Sequence, residues 1–197
     1  MSKLVYFATS NKEKVANAAI ALKPYGIQVK QLKIELVESR AQDPADIALE
    51  KAKQAYKAYK HPVLVEDSGF FIRALGGFPS THIKFSLSTL GVDNIIKMLK
   101  GVKDRHCEWR MTLAFVKSAT HCRTFTCVEP GKIATAPREV KRKMMSDYWR
   151  IYIPSMEHKK NTLALSEMSE ADLRAWQEYY NTHNQFQMFG AWYSKQK

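Results

Sequence analysis

Strand-like and helix-like segments alternate between Leu4 and Val65, and this alternation restricts the fold more than any other feature of the chain. Leu4-Val5-Tyr6-Phe7-Ala8 is an apolar run of strand length. Thr9-Ser10-Asn11 interrupts it, after which Val15, Ala18, Ala19 and Leu22 recur at helical spacing until Pro24 and Gly26 stop the helix. Ile27 to Leu36 then alternates apolar and polar residues, with Val29, Leu32, Ile34 and Leu36 available for burial, which predicts a second strand. Asp43-Pro44 supplies an N-cap and a first-turn proline for a second helix, where Ala48, Ala52, Ala55 and Tyr59 share a face beside Leu49 and Tyr56. Val63-Leu64-Val65, set between Pro62 and Gly69, reads as a third strand with Glu66-Asp67 at its carboxyl end. Ligands of open α/β sheets bind at that end, so these acids draw attention, although a turn with solvated carboxylates would read the same.

The second half of the chain is read more coarsely. Asp93 to Leu99 predicts a helix, Trp109 to Val116 and His121 to Val128 a hairpin around Lys117 to Thr120, and Glu129-Pro130-Gly131-Lys132 a turn. Ile151-Tyr152-Ile153 is strand-like, and Ser169 with Asp172 resembles a capping box opening one final helix. Helices alternating with strands, followed mostly by strands, predict an α/β fold: a mixed β-sheet with flanking helices and two lobes around a cleft. One domain over 1–197 is expected, with 1–80 plus the C-terminal helical part in one lobe and 81–165 in the other.

No apolar run reaches the length of a membrane span, and the N-terminus enters its first strand without a signal-peptide pattern. Cys107, Cys122 and Cys127 are too few, and odd in number, for a disulfide framework. A soluble cytoplasmic protein is therefore expected. Lys and Arg number 31 against 19 Asp and Glu, a net +12 that favours a polyanionic partner: a nucleoside triphosphate, nucleic acid or an anionic surface. The densest basic run, Arg138 to Lys143, reads most simply as a solvated loop.

Three groups of residues carry chemistry. Thr9, Ser10, Asn11 and Lys14 surround a helix N-terminus, where unpaired N–H groups and the helix dipole favour phosphate. An ordinary N-cap has the same composition, and the Walker pattern is absent. Glu38 follows the second strand and Glu66-Asp67 end the third, so parallel neighbours would bring hard oxygen ligands to one edge of the sheet, a set that suits Mg²⁺. Lys51 lies on the second helix, where it could equally belong to a wet face with Lys53, Lys57 and Lys60.

In combination these pieces are distinctive. Thr9-x-Asn11-x-x-Lys14, the acid after the second strand, "VLVEDSGF", "ALGGFPSTHIKF" and "GKIATAPRE" occur in the order and spacing of the inosine triphosphate pyrophosphatase family, which the first two-thirds of the chain resembles. The resemblance implies an elongated two-lobed α/β homodimer. It also implies Mg²⁺-dependent hydrolysis of deaminated purine nucleoside triphosphates to monophosphate and pyrophosphate, a house-cleaning reaction. By matching position it assigns Thr9, Ser10, Asn11, Lys14 and Lys51 to the triphosphate, Glu38 and Asp67 to Mg²⁺, and Asp67 with Glu66 to the attacking water. Such roles are chemically consistent: lysines and metal neutralise the leaving pyrophosphate while a carboxylate orients water. Ser68-Gly69 is expected to turn the backbone closely around the site, with Ser68 also near the base.

The chain departs from the family at several points. The "GGxPG" turn reads Gly76-Gly77-Phe78-Pro79-Ser80, which predicts a different loop conformation. Where the family carries Phe-Gly-Trp/Tyr-Asp-Pro the chain has Ser146-Asp147-Tyr148-Trp149-Arg150, and the family's later Ser-His-Arg is not found between Glu167 and Trp176. Tyr148, Trp149, Arg150 and Arg174 are the residues left to read a base, and inosine or xanthine preference is not inherited. Tyr148 and Trp149 could instead be core aromatics. His106-Cys107 and His121-Cys122 contain zinc-type ligands, but the hairpin register separates the pairs. His158 is read as a surface residue, and the aromatics from Trp176 to Tyr193 as packing or dimer contacts rather than a nucleic-acid platform. The rival to an enzyme is an inactive family member that binds nucleic acid or protein through its basic surface.

Overall fold

The computed structural model describes residues 3–37, 39–140, 144–156 and 161–196. Its elements run β1 (Lys3–Ala8), α1 (Lys12–Leu22), β2 (Ile27–Leu32), α2 (Pro44–Tyr59), β3 (Val63–Ile72), β4 (Pro79–Ser80), α3 (Ile83–Thr89) and α4 (Gly91–Met98). There follow β5 (His106–Val116), β6 (Cys122–Ile133), β7 (Tyr152–Pro154), α5 (Glu170–His183) and α6 (Gln185–Tyr193). The strands form one mixed seven-stranded sheet in the order β2-β1-β3-β5-β6-β7, with β4 paired to β3. β1 is parallel to both β2 and β3, as expected of strands joined through helices, whereas β4 and β7 run antiparallel to their neighbours. The expected mixed α/β sheet with flanking helices is therefore present.

The chain divides into two compact units. One comprises Met1–Ser68, Met111–Cys127 and Asn181–Lys197; the other comprises Gly69–Arg110 and Val128–Tyr180. In the first unit, the period of two along each strand sorts side chains onto two faces. Val5 and Phe7 of β1 and Leu64 of β3 pack with Ala18 and Leu22 of α1 and with Phe186, Phe189 and Tyr193 of α6. Ala8 of β1 and Val63 and Val65 of β3 face the other way, onto Ala48, Ala52 and Ala55 of α2. Burial on both faces explains why Val63-Leu64-Val65 is an uninterrupted apolar run rather than an alternating one. Each such side chain contributes about 1.5–3 kcal/mol.

The second unit has its own core, including Phe70, Ile72, Ile95, Leu99, Tyr148 and Tyr152. Arg105 is held inside it by the carbonyls of Leu99 at 2.9 Å, Ile133 at 3.2 Å and Ala134.

Four expectations about local structure are corrected. β2 ends at Leu32 rather than Leu36, although Leu32, Ile34 and Leu36 still pack against the α2-side core. β3 does not turn at Ser68-Gly69 but continues to Ile72, and Gly69 serves close approach: a Cβ there would lie 2.6 Å from the Phe71 ring and 3.1 Å from the Ser80 carbonyl. Glu129 to Lys132 is not a turn but the continuation of β6, where a Cβ at Gly131 would collide with the Tyr152 ring and the Ile153 carbonyl of β7. The final helix is two, because Asn184 starts a new one by accepting from the N–H groups of Phe186 and Gln187. The capping box at Ser169 is as expected: the Asp172 N–H donates to Ser169 Oγ at 3.1 Å, and that hydroxyl donates to Asp172 Oδ2 at 2.7 Å.

In the "GGxPG" turn, serine stands where the family's last glycine would be. Ser80 adopts φ +57°, the left-handed region that a glycine enters readily.

Candidate active site

The site is assembled in the first unit, at the level where β1 ends. Phe7 pairs with Leu64, so Thr9 and Glu66, two residues further along each strand, come to the same edge. Thr9 is fixed there by its N–H to the Leu32 carbonyl at 3.2 Å and by Gln31, whose amide donates to the Thr9 carbonyl at 2.9 Å. Asn11 turns the chain into α1. Its Oδ1 accepts from the N–H groups of Glu13 at 2.8 Å and Lys14 at 3.2 Å, while its own N–H donates to Thr9 Oγ1 at 3.1 Å. With Oδ1 committed to the helix, the Asn11 Nδ2 end faces away from the cap as a donor. Ser10 and Asn11 are exposed.

The period of two along β3 decides what the adjacent acids do. Glu66 continues the face of Leu64, which α1 and α6 cover; Asp67 continues the face of Val63 and Val65, which α2 covers. Each carboxylate meets the lysine of its own covering helix. Lys14 of α1 lies 3.0 Å from Glu66 Oε2, and Lys51 of α2 lies 2.8 Å from Asp67 Oδ2. The four side chains are only 9–29% exposed, so these pairs are screened less than surface pairs. Lys51 is thereby removed from the wet face on which Lys53, Lys57 and Lys60 remain exposed. It sits at the margin of the buried stripe made by Ala48, Ala52 and Ala55.

Two further contacts complete the acidic end. The Ser68 N–H donates to Asp67 Oδ1 at 2.9 Å. The Gln185 amide, at the first position of α6, donates to Glu66 Oε1. Sequence reasoning missed Gln185 because one continuous final helix was expected across it; the N-cap residue Asn184 before Phe186 was the available signal. Gln54 of α2 grips the loop after β2 by donating to the Val37 carbonyl at 3.1 Å and accepting from the Val37 N–H at 3.0 Å. Glu38, the next residue, lies outside the described residues, as do His158 and the end of the basic run at 141–143.

The residues considered for base recognition belong to the second unit. Tyr148 is fully buried, its ring 4.7 Å from that of Phe70 and its hydroxyl 2.9 Å from Ser86 Oγ. Burial pushes its pKa up to about 12. Trp149 is half-buried against Trp176 at 6.2 Å. Arg150 is tied locally, with Nε donating to the Arg138 carbonyl at 3.3 Å and Nη1 3.5 Å from Asp147. Arg174 is exposed on α5. The aromatics of the C-terminal segment divide: Phe186, Phe189 and Tyr193 are core of the first unit, while Trp176 stacks on Tyr180 at 5.8 Å in the second.

The profile of the Ham1 family matches residues 5–186. The chain belongs to the Ham1 family. Among relatives of this Ham1 chain, a dITP/XTP pyrophosphatase from Ignicoccus hospitalis is 36% identical over 139 residues, 70% of this chain and 74% of that protein. Another from Saccharolobus solfataricus is 30% identical over 162 residues, 82% of this chain and 81% of its own length. The fold is that of the Staphylococcus aureus Ham1 protein, with TM-score 0.78 at 16% identity over 99% of this chain and 100% of the other. It is also that of a HAM1 protein from Coxiella burnetii, with TM-score 0.79 at 18% identity over 98% and 100%. The family resemblance read from the short motifs is thus borne out over nearly the whole Ham1 chain. Among the described residues, no helix is long and apolar enough to cross a membrane.

Proposed function

We propose that the protein is a nucleoside triphosphate pyrophosphatase, hydrolysing a nucleoside or deoxynucleoside triphosphate to the monophosphate and pyrophosphate. One observation carries the reading: successive carboxylates of β3 are each ion-paired to a lysine of the helix covering that face, Glu66 to Lys14 of the Asn11-capped α1 and Asp67 to Lys51 of α2. The names of its relatives, dITP/XTP pyrophosphatases, support the same chemistry. Thr9, Ser10, Asn11 and Lys14 would cradle the phosphates through hydroxyls, the Asn11 amide and the ammonium. Lys51 would neutralise charge that develops on the leaving pyrophosphate. Asp67, with Glu66, would orient the attacking water toward the α-phosphorus.

The donor set suits Mg²⁺: Asp67 offers hard oxygens and already carries a cation, the Lys51 ammonium, at 2.8 Å. Asp67 and Glu38 would hold the ion, which when bound would neutralise phosphate charge as a Lewis acid. For the base, we propose a nucleotide other than the usual deaminated purines, a non-canonical or modified one, because Trp149 and Arg150 replace the family's pattern. A cytoplasmic homodimer accords with this reading.

Pyrophosphate release from a panel of normal, deaminated and modified triphosphates, with and without Mg²⁺, tests it. Asp67→Asn is expected to lower the rate by about 10²–10⁴-fold. Activity surviving in Asp67→Asn, or inertness of the wild type toward the whole panel, would refute the assignment. In the inert case, salt-dependent oligonucleotide binding that is unaffected by Asp67→Asn would favour a basic binding module instead, a reading prompted by the net charge of +12.

A further inference from the structure

We propose that Gln185 is a positioning residue of the hydrolytic site, fixing the carboxylate of Glu66; this rests on the reading of Glu66 as a group that orients the attacking water. Gln185 is 1% exposed, and its amide donates to Glu66 Oε1 across 119 residues of chain. Lys14 holds the other oxygen, Oε2, at 3.0 Å. With one donor on each oxygen, the plane of the carboxylate is set, and each oxygen keeps a lone-pair direction for water.

The support behind the amide is rigid. Gln185 is the first residue of α6, directly after the cap at Asn184, which is itself only 2% exposed. Phe186, Phe189 and Tyr193 anchor the helix in the core that also holds Phe7 and Leu64 of β1 and β3. On the far side, the Tyr25 hydroxyl donates to Gln187 Oε1 at 2.7 Å. An orienting group carried on a packed helix keeps its geometry better than one on a loop.

The residue type matters too. A glutamine donates a hydrogen bond without adding charge. Lysine or arginine there would put a second cation on Glu66 in competition with Lys14, and glutamate would oppose two carboxylates. The amide therefore orients Glu66 while leaving the charge balance of the Lys14–Glu66 pair unchanged.

Gln185→Met, of similar size without the donor, tests the idea in a double-mutant cycle with Glu66→Ala, read as pyrophosphate release and accompanied by unfolding midpoints. The expected result is a kcat loss of about 10–100-fold in Gln185→Met, with KM little changed and no further loss when Glu66 is already alanine. Gln185→Glu, which keeps the shape but sets a second carboxylate against Glu66, is the second variant and is expected to lose at least as much kcat, again only while Glu66 is present. Equal loss in both backgrounds would mean a merely structural role and overturn the proposal. So would wild-type kcat in both Gln185 variants while Glu66→Ala is impaired, in which case the positioning role falls alone. If Glu66→Ala itself keeps full activity, the reading of Glu66 falls and the role of Gln185 with it.

Discussion

Tyr148→Phe distinguishes a core residue from a base-stacking one, and its effect follows from two contacts. Ser86 Oγ donates its hydrogen to the Ile83 carbonyl at 2.8 Å, so the bond to Tyr148 must be given by the tyrosine hydroxyl. Phenylalanine removes that donor, leaves Ser86 with its own donation intact and fills the same volume among Phe70 and Trp109. The loss at neutral pH is then one buried neutral hydrogen bond, about 1 kcal/mol, or about 2–4 °C in Tm for a chain of this length. The alkaline behaviour is more decisive. The folded pKa is raised from 10.0 to about 12, so the hydroxyl stabilises the fold below pH 10 and loses this contribution as pH rises toward 12. At pH 11 an unfolded tyrosine is mostly ionised and Tyr148 mostly is not, which costs the wild type about 1.4 kcal/mol relative to its neutral-pH stability. Other titrations are common to both proteins. The stability gap measured by urea unfolding should therefore close between pH 9 and 11, while KM for the triphosphate stays unchanged. A gap that is constant over that range, or an unaltered midpoint with a raised KM, would refute the core assignment.

Three other outcomes follow from single features. Ser80→Gly should stabilise the protein by up to about 1 kcal/mol in urea unfolding, because relief of the left-handed strain at φ +57° outweighs the extra chain entropy of glycine. Asp104→Asn should flatten the acid limb of stability between about pH 4 and 2. Hydrogen bonds from Arg73 and from the His106 N–H hold Asp104 down to about 2, so its contribution is present above 3.8 and is lost only as pH falls through the folded value. Under native conditions a thiol reagent should label Cys122 first, which mass spectrometry can map, since Cys122 is exposed while Cys107 and Cys127 are buried; burial and the neighbouring Glu108 push the Cys107 thiol up as well.

How much the sequence disclosed depended on the range over which each signal acts. The β1-α1-β2-α2-β3 order was legible because periodicity, Asp43-Pro44 and Pro24 with Gly26 are local, and local physics decides them. The pairing of β1 with β3 was legible indirectly, since strands joined by helices run parallel. Gly69 and Gly131 misled for one reason: each reads as a turn when alone, and each is needed where a neighbouring strand approaches too closely for a side chain. Tyr148 and Trp149 could not be separated because burial of an aromatic is decided by distant partners, here Phe70 and Ser86 for one and Trp176 for the other.

The acids at the end of β3 show where local reading stops short of chemistry. Glu66-Asp67 looks like one paired-carboxylate site because the residues are adjacent. In a strand, adjacency means the opposite, since neighbouring side chains leave by opposite faces. The helices then determine the partners: α1 and α6 bring Lys14 and Gln185 to Glu66, and α2 brings Lys51 to Asp67. Two carboxylates sharing one face would repel and favour sharing a proton. Two on opposite faces are instead each matched by an ammonium of the helix that covers that face. Lysine–carboxylate pairs thus stand on both faces of β3 without bringing the two carboxylates together, and this follows from the strand continuing through Glu66 and Asp67 rather than turning there.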